Sequence, residues 1–380
     1  MKLCKSLLVA PATLGLLAPL SATANEVTIN DFNPAEELAI TNSRVDGLEA
    51  RLNNFEAGSF SETTTASFSV DMLIGAVDGK GISSSATEGD ETLQAAYSFQ
   101  IELNTSFTGE DSLDISLDAG NAASSTATTP SPLLEFDPNT TSDALQVDGV
   151  SYTFPVGDST TVIVGDNTDG SALFTTACVY GGPSNTLDDC GNVNAGITNG
   201  GAALGVAYDF GNGFTTAVGY AAAETGLMTQ ATTDAYGLNG AYTGDNYGVS
   251  LTYGYVETGT NGVTESYYTA LNGYYSFDNG VSVSAGYEVG DVGANADTAD
   301  ESINYFLGVN TEFGPGEVGA AIGTSGGQLE NQIQESMIEA YYSYPVNDGM
   351  TITPLIYIKE KATGGTPDET GIMVKTSFSF

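Results

Sequence analysis

The sequence predicts an all-β membrane protein: a 16-stranded antiparallel transmembrane β-barrel preceded by a short periplasmic coiled-coil helix. Three observations predict it. Beyond Ser59, apolar residues recur at every second position, the period of a strand with one apolar face. Short glycine-containing turns alternate strictly with longer polar links. Past the first two dozen residues, no segment has the continuous apolar run that a spanning helix needs.

Residues 1–24 read as a signal peptide. Lys2 and Lys5 make a basic start, "SLLVAPATLGLLAPL" is the apolar stretch, and Ala22-Thr23-Ala24 offers a small-residue cleavage site. Residues 25–58 form the second unit. Asn33 is placed to cap a helix, Pro34 suits its first position, Glu36 completes a capping box and Gly58 stops it. Leu38, Val45, Leu48, Leu52 and Phe55, with Thr41 between them, follow a 3-4 spacing and make an a/d seam. Self-association through this seam is expected; packing of an amphipathic helix on the remainder is the other reading.

Residues 59–380 are the predicted barrel. "ASFSVDMLIGA" puts Ala66, Phe68, Val70, Met72 and Ile74 on one face and Thr65, Ser67, Ser69 and Asp71 on the other. "LQAAYSFQIEL", "VSVSAGYEV" and "INYFLGVNTEF" repeat the pattern at lengths that suit tilted membrane-crossing strands. Short turns fall at 108–112, 155–159, 211–213, 244–246, 278–280, 314–316 and 347–349, and the longer links include 166–200 and 257–265. Seven short and eight long connections join sixteen strands and put both chain ends on the short-turn side. Closure is required, because in lipid every backbone N–H and C=O must be paired within the protein. The final strand, "MVKTSFSF", should therefore pair with the first near Phe68–Ile74. Phe378 and Phe380 then lie on the lipid-facing parity at the inner aromatic girdle.

The composition excludes several function classes. The chain has 48 acidic and 8 basic residues and a formal charge of −40, so nucleic acid and anionic surfaces are poor partners. It contains no histidine, which removes the usual acid–base and triad solutions, and no catalytic constellation stands out. No metal site and no cofactor are expected. Once the signal is gone two cysteines remain, Cys178 and Cys190. In an exported chain that spacing reads as a local disulfide.

A water-filled lumen is the chemistry such a barrel supports. From position 57 onward there are 41 acidic and four basic residues. Lumen parity falls to Asp71, Glu102, Asp114, Asp118, Glu288, Glu312 and Glu339, with Lys375 the clearest basic candidate. The cysteine-bearing link is the candidate constriction, carrying Asp166, Asp169, Asp188 and Asp189; packing outside the barrel is the alternative. Charged walls in a low-dielectric channel concentrate counter-ions. The expectation is a cation-preferring diffusion path for ions and small hydrophilic solutes. Phe306 and Tyr341 also fall on lumen parity, but no continuous aromatic track for sugars can be read.

The junction "SRVDGLEARLNNFEAGSFSETTTASFSVDMLIGAVDG", the stretch "VSYTFPVGDSTTVIVGD" and the aromatic-rich last strand resemble the cyanobacterial outer-membrane porins, which are related to the carbohydrate-selective porin family. The resemblance implies a trimeric, sixteen-stranded diffusion channel in outer-membrane lipid. It also implies a terminal strand read by the barrel-insertion machinery. Many members carry a wall-binding domain before the coiled coil; here it is absent or reduced to "NEVTINDFNPAEE". A sugar-binding pore and a structural tether of the outer membrane are the alternatives the resemblance brings.

Overall fold

The computed structural model describes residues 64–78, 93–122, 132–198, 200–229, 232–259, 263–293, 300–325, 329, 334–360 and 368–380. The signal peptide and the helix with its seam from Leu38 to Phe55 lie outside the described residues.

Sixteen strands are described, and each is hydrogen-bonded to its neighbours in chain order until β16 returns to β1, closing an antiparallel barrel. They are β1 (Thr64–Asp78), β2 (Gln94–Thr105), β3 (Ser112–Gly120), β4 (Gln146–Pro155), β5 (Thr160–Asp166) and β6 (Ala202–Gly211). Then come β7 (Phe214–Ala222), β8 (Asp234–Thr243), β9 (Tyr247–Gly259), β10 (Val263–Ser276) and β11 (Val281–Val292). The last are β12 (Asp300–Phe313), β13 (Gly316–Thr324), β14 (Ser336–Asn347), β15 (Met350–Lys359) and β16 (Glu369–Ser379).

The seven short turns fall where glycine and asparagine place them. In the β6–β7 turn Gly211, Asn212 and Gly213 all have positive φ, the conformation a tight hairpin demands. In the β2–β3 turn Asp111 Oδ1 accepts from the backbone N–H groups of Phe107 and Thr108, and its other oxygen accepts from Tyr152. The Tyr152 hydrogen bond does most to hold this carboxyl well below the usual carboxylate range. One of the long links differs from expectation. Around 257–265 the strands continue, with Glu257 paired to Glu265 and Gly259 to Val263, so only 260–262 lie between them. Cross-strand pairing continues through residues read as a polar loop.

The barrel closes as the terminal alternation requires. Val70 pairs with Phe378 and Ile74 with Val374. Phe68 and Phe380 exchange both backbone hydrogen bonds at 3.0 Å, and their rings stack at 5.7 Å. Phe378 and Phe380 keep the outward parity, and Phe380 is 75% exposed.

Alternation sorts the two faces. Leu204, Val218, Leu238, Leu251, Leu271, Leu307, Ile338 and Ile356 are exposed on the outside. So continuous an apolar belt is the signature of a surface that meets lipid. Aromatic pairs rim it at the short-turn end, among them Tyr208–Phe210, Tyr275–Phe277 and Phe214–Tyr242. At the other end Tyr220, Tyr236, Tyr255 and Tyr267 form a ladder across β7–β10 with ring centroids 5.1–5.9 Å apart.

Candidate functional site: an occupied lumen

The β5–β6 link, described over residues 167–198 and 200–201, folds into the barrel. Its backbone is held by polar side chains that alternation points inward from one strand after another. Thr175 N donates to Asn239 Oδ1 on β8, Ala177 N to Ser250 Oγ on β9 and Val179 N to Ser284 Oγ on β11, at 2.9–3.0 Å. Asn272 of β10 donates to the Cys190 carbonyl at 2.8 Å. These short polar residues do for the loop what a neighbouring strand would do in a sheet: they pair backbone groups that would otherwise be buried unsatisfied.

Glycine lets the loop lie flush on the wall. Gly219, Gly237, Gly254, Gly286, Gly308 and Gly323, on β7, β8, β9, β11, β12 and β13, all face inward beneath it. A Cβ at Gly286 would run into the Cys190 carbonyl, and one at Gly219 into the Gly170 carbonyl. Within the loop Cys178 and Cys190 are disulfide-bonded.

The carboxylates on lumen parity divide into two groups. Glu288 accepts from Asn194 N, Asn194 Nδ2, Ala195 N and Asn304 Nδ2 at 2.8–2.9 Å and is 0% exposed. Glu339 accepts from the Tyr180 hydroxyl at 2.7 Å and is 1% exposed. Both face inward as the alternation requires, but neither lines a water path: both hold the loop, Glu288 by satisfying several converging donors at once and Glu339 through the Tyr180 hydroxyl alone. Glu102, Asp114 and Asp118 on β2 and β3 are different. They are half-buried and water reaches them, with Ser116 donating to Glu102 at 2.7 Å and Asn104 to Asp114 at 2.6 Å. Asp71 is half-buried on β1, and Glu312 is exposed at the short-turn end. Beside Glu312, a concavity of about 420 Å³ is lined by Glu317, Ser343 and Thr351.

Of two further expected pore residues, one faces outward and the other is inward but partly covered. Asp166 ends β5 on the outward parity shared with Val164, because the loop turns inward only after Asn167, a residue with φ 51°. Lys375 faces inward, but its ammonium sits 5.4 Å from the centroid of the Phe136 ring and so is covered on that side.

Phe136 belongs to a feature that sequence reading missed. The described part of the β3–β4 link from Pro132 onward also folds inward, through a 3-10 helix, Pro132–Phe136. Glu135 forms an ion pair with Lys359 of β15 at 2.5 Å and accepts from Thr186 Oγ1 of the cysteine loop at 2.7 Å. Its carbonyl accepts from Asn185 N at 2.9 Å. Leu133 and Phe136 join Leu73, Met337, Leu355, Tyr357 and Met373 from the wall, and Tyr180 and Leu187 from the cysteine loop, in one buried cluster. The signal was present as "SPLLEF", apolar residues inside an otherwise polar link. So were the inward-parity Leu73 and Met337, which have no place in a purely aqueous lumen. Phe306 and Tyr341 are buried in the same cluster, beneath the loops.

Asp188 and Asp189 project from the inward-folded loop. Water touches Asp188, yet enclosure by the surrounding protein pushes its carboxyl up to about 6, with Asp137 of the 3-10 link adding to the shift. Burial pushes Asp189 up to about 7, helped by the nearby charges of Asp188, Glu288 and Asp169. Enclosure by the surrounding protein also raises the carboxyl of Asp169, although water reaches it.

A sixteen-stranded barrel with an apolar outer belt and an inward-folded loop after its fifth strand has the architecture of bacterial outer-membrane porins. Solved structures bear this out at the level of fold. Pseudomonas putida OprB superposes with a TM-score of 0.62 at 11% identity, over 84% of this chain and 94% of that one. The anion-selective porin from Comamonas acidovorans gives 0.59 at 15%, over 84% and 99%. The trimer form of Vibrio cholerae OmpT gives 0.58 at 9%, over 84% and 100%. No family model and no curated protein sequence matches the chain.

Proposed function

We propose that the protein is an outer-membrane porin, a diffusion channel for inorganic ions and small hydrophilic solutes that prefers cations. One observation carries this reading. The inward-folded cysteine loop narrows the lumen and presents Asp169, Asp188 and Asp189, while the wall that stays open to water carries Glu102, Asp114 and Asp118. Fixed carboxylates on low-dielectric walls raise the local cation concentration and repel anions. The two lumen lysines among the described residues are engaged, Lys359 by Glu135 and Lys375 by Phe136. The Comamonas porin is anion-selective, so shared architecture does not carry charge preference; wall charge does. The trimer form of OmpT supports a homotrimer here. Reversal potentials of the purified protein in a potassium chloride gradient test the proposal: the sign for cation preference is expected, and clear anion preference would overturn it.

A further inference from the structure

Closure of the barrel leaves one joint that no link spans. β1 and β16 come from opposite ends of the barrel sequence, whereas every other neighbouring pair of strands is joined by its own link. At the short-turn end this joint is held by Phe68 and Phe380. Further along it, the link that carries the 3-10 helix lies across the joint on the lumen side. Its residues step over the strands in order. Glu135 is ion-paired with Lys359 of β15, and Phe136 covers the Lys375 ammonium of β16. Leu133 and Phe136 are buried with Leu73 of β1 and Met373 of β16. Asn139 N donates to Ser98 Oγ at 3.0 Å and Asn139 Nδ2 to the Phe99 carbonyl at 3.2 Å, both on β2. Gly120 N of β3 donates to Thr141 Oγ1 at 2.9 Å, and the Gly120 carbonyl accepts from Asp143 N at 2.9 Å. From Glu135 to Asp143 the backbone therefore passes over β15, β16, β1, β2 and β3. Neighbouring strands lie about 4.8 Å apart, and a chain of that length reaches across them.

We propose that this link is an internal clasp that locks the joint between the first and last strands, with Glu135 and Lys359 as its latch. The latch joins residues 224 apart in sequence. It can form only when β15 stands within reach of a link that leaves β3, which is after β16 has met β1. A contact made after closure contributes nothing to the closing step, yet it must break before the strands part. It therefore slows opening without speeding assembly. The apolar grip of Leu133 and Phe136 has no direction of its own, and the latch supplies one. The Glu135 carboxylate also accepts from Thr186 Oγ1 at 2.7 Å, and Lys359 Nζ also donates to Thr186 Oγ1 at 3.0 Å. The three groups hold one another in a fixed triangle, with both charges paired. The clasp acts on the wall itself, so the inference holds whatever solute the barrel passes.

Hydrogen–deuterium exchange of the full-length protein in detergent, read by mass spectrometry on peptides from β1, β16 and the β9–β10 hairpin, tests it. In Lys359→Met, which strands the Glu135 carboxylate, exchange in β1 and β16 should quicken about tenfold, while β9–β10 stays within about twofold. Asn139→Ala removes a hydrogen bond at the opposite end of the clasp and leaves the latch intact. It should quicken the same two strands about threefold, and it carries the test if the Lys359 variant does not fold. Exchanging the pair, Glu135→Lys with Lys359→Glu, should bring β1 and β16 back to within about threefold of the unaltered protein. Unchanged exchange in β1 and β16 in both single variants would overturn the proposal. So would loosening of β9–β10 to the same degree, because the link would then be a general filling of the lumen and not a clasp on one joint. Exchange in the swapped pair as fast as in Lys359→Met would remove the latch.

Discussion

Two stretches of the same wall, β2–β4 and β7–β14, follow one alternation and end in opposite environments. On β7–β14 the inward residues include Gly, Ala, Ser, Thr, Asn and Glu with a few large apolar side chains, and Thr252, Asn272 and Glu288 are sealed beneath the cysteine loop. On β2–β4 the inward residues are polar as well, and Glu102, Asp114, Ser116 and Asp118 stay half-open to water. What separates the stretches is the small residue. Glycine in the covered wall gives the loop's backbone room to approach, and short hydroxyls and amides then pair it. Inward parity is therefore necessary for lining a water path but does not suffice: a carboxylate of the same parity meets water in one half and is a structural acceptor in the other.

The largest effect should come from exchanging these roles. Glu288→Ala strands the donors of Asn194, Ala195 and Asn304, each costing about 1–3 kcal/mol. The heat-unfolding midpoint should fall sharply, by more than about 3 kcal/mol of stability, and current noise should rise as the loop loosens. Asp114→Asn in the open half should leave that midpoint within about 0.5 kcal/mol and shift the reversal potential toward lower cation preference. If the two variants behave alike, the division of the wall fails.

Opening the disulfide comes next. Replacing Cys178 and Cys190 by serine frees a short loop whose closure is worth about 2–3 kcal/mol. Noisier single-channel records with little loss of barrel stability are expected, because strand pairing does not depend on the link. Gly286→Val probes the contact face itself. Overpacking against the Cys190 carbonyl costs about 1–3 kcal/mol and should lift the loop, raising conductance severalfold. Unchanged conductance would mean that the loop does not set the narrowest section.

The smallest effect should be that of pH. Asp188 and Asp189 have carboxyls raised to about 6 and about 7, so their negative charge appears only as pH rises through those values. Cation preference should grow between about pH 5 and pH 8 and level off above. The stability sign is opposite. The folded state binds these protons more tightly than an unfolded chain with carboxyls near pH 4, so both groups stabilise the docked loop below that value. That contribution is lost as pH rises toward 7. A preference that falls with rising pH would place these acids away from the solute path.

Some of this was legible from residues alone. "MVKTSFSF" and "ASFSVDMLIGA" announce the pairing that Val70 and Phe378 make, and "GNG" and "DNG" announce the hairpins at Gly211 and Gly280. The lumen parity of Asp114, Glu288 and Glu339 was equally plain. The link at 257–265 was misread because Gly and Thr serve loops and strand ends alike. The dry side of the lumen was missed because Leu133, Phe136 and Tyr180 lie in links, far in sequence from the Leu73, Met337 and Leu355 they meet.

Strand parity, turn position and barrel closure depend on contacts between a residue and those two or a few places away, together with lipid's demand that every backbone group be paired. A sequence displays that information directly. Which carboxylates meet water depends on two links descending into the same enclosed space. Their contacts span 51 residues between Glu135 and Thr186 and 159 between Tyr180 and Glu339. No periodicity records pairings at that range. The volume inside the closed wall decided them, because once the loops enter it they must bury their apolar side chains and find partners for their backbone in whatever the wall presents.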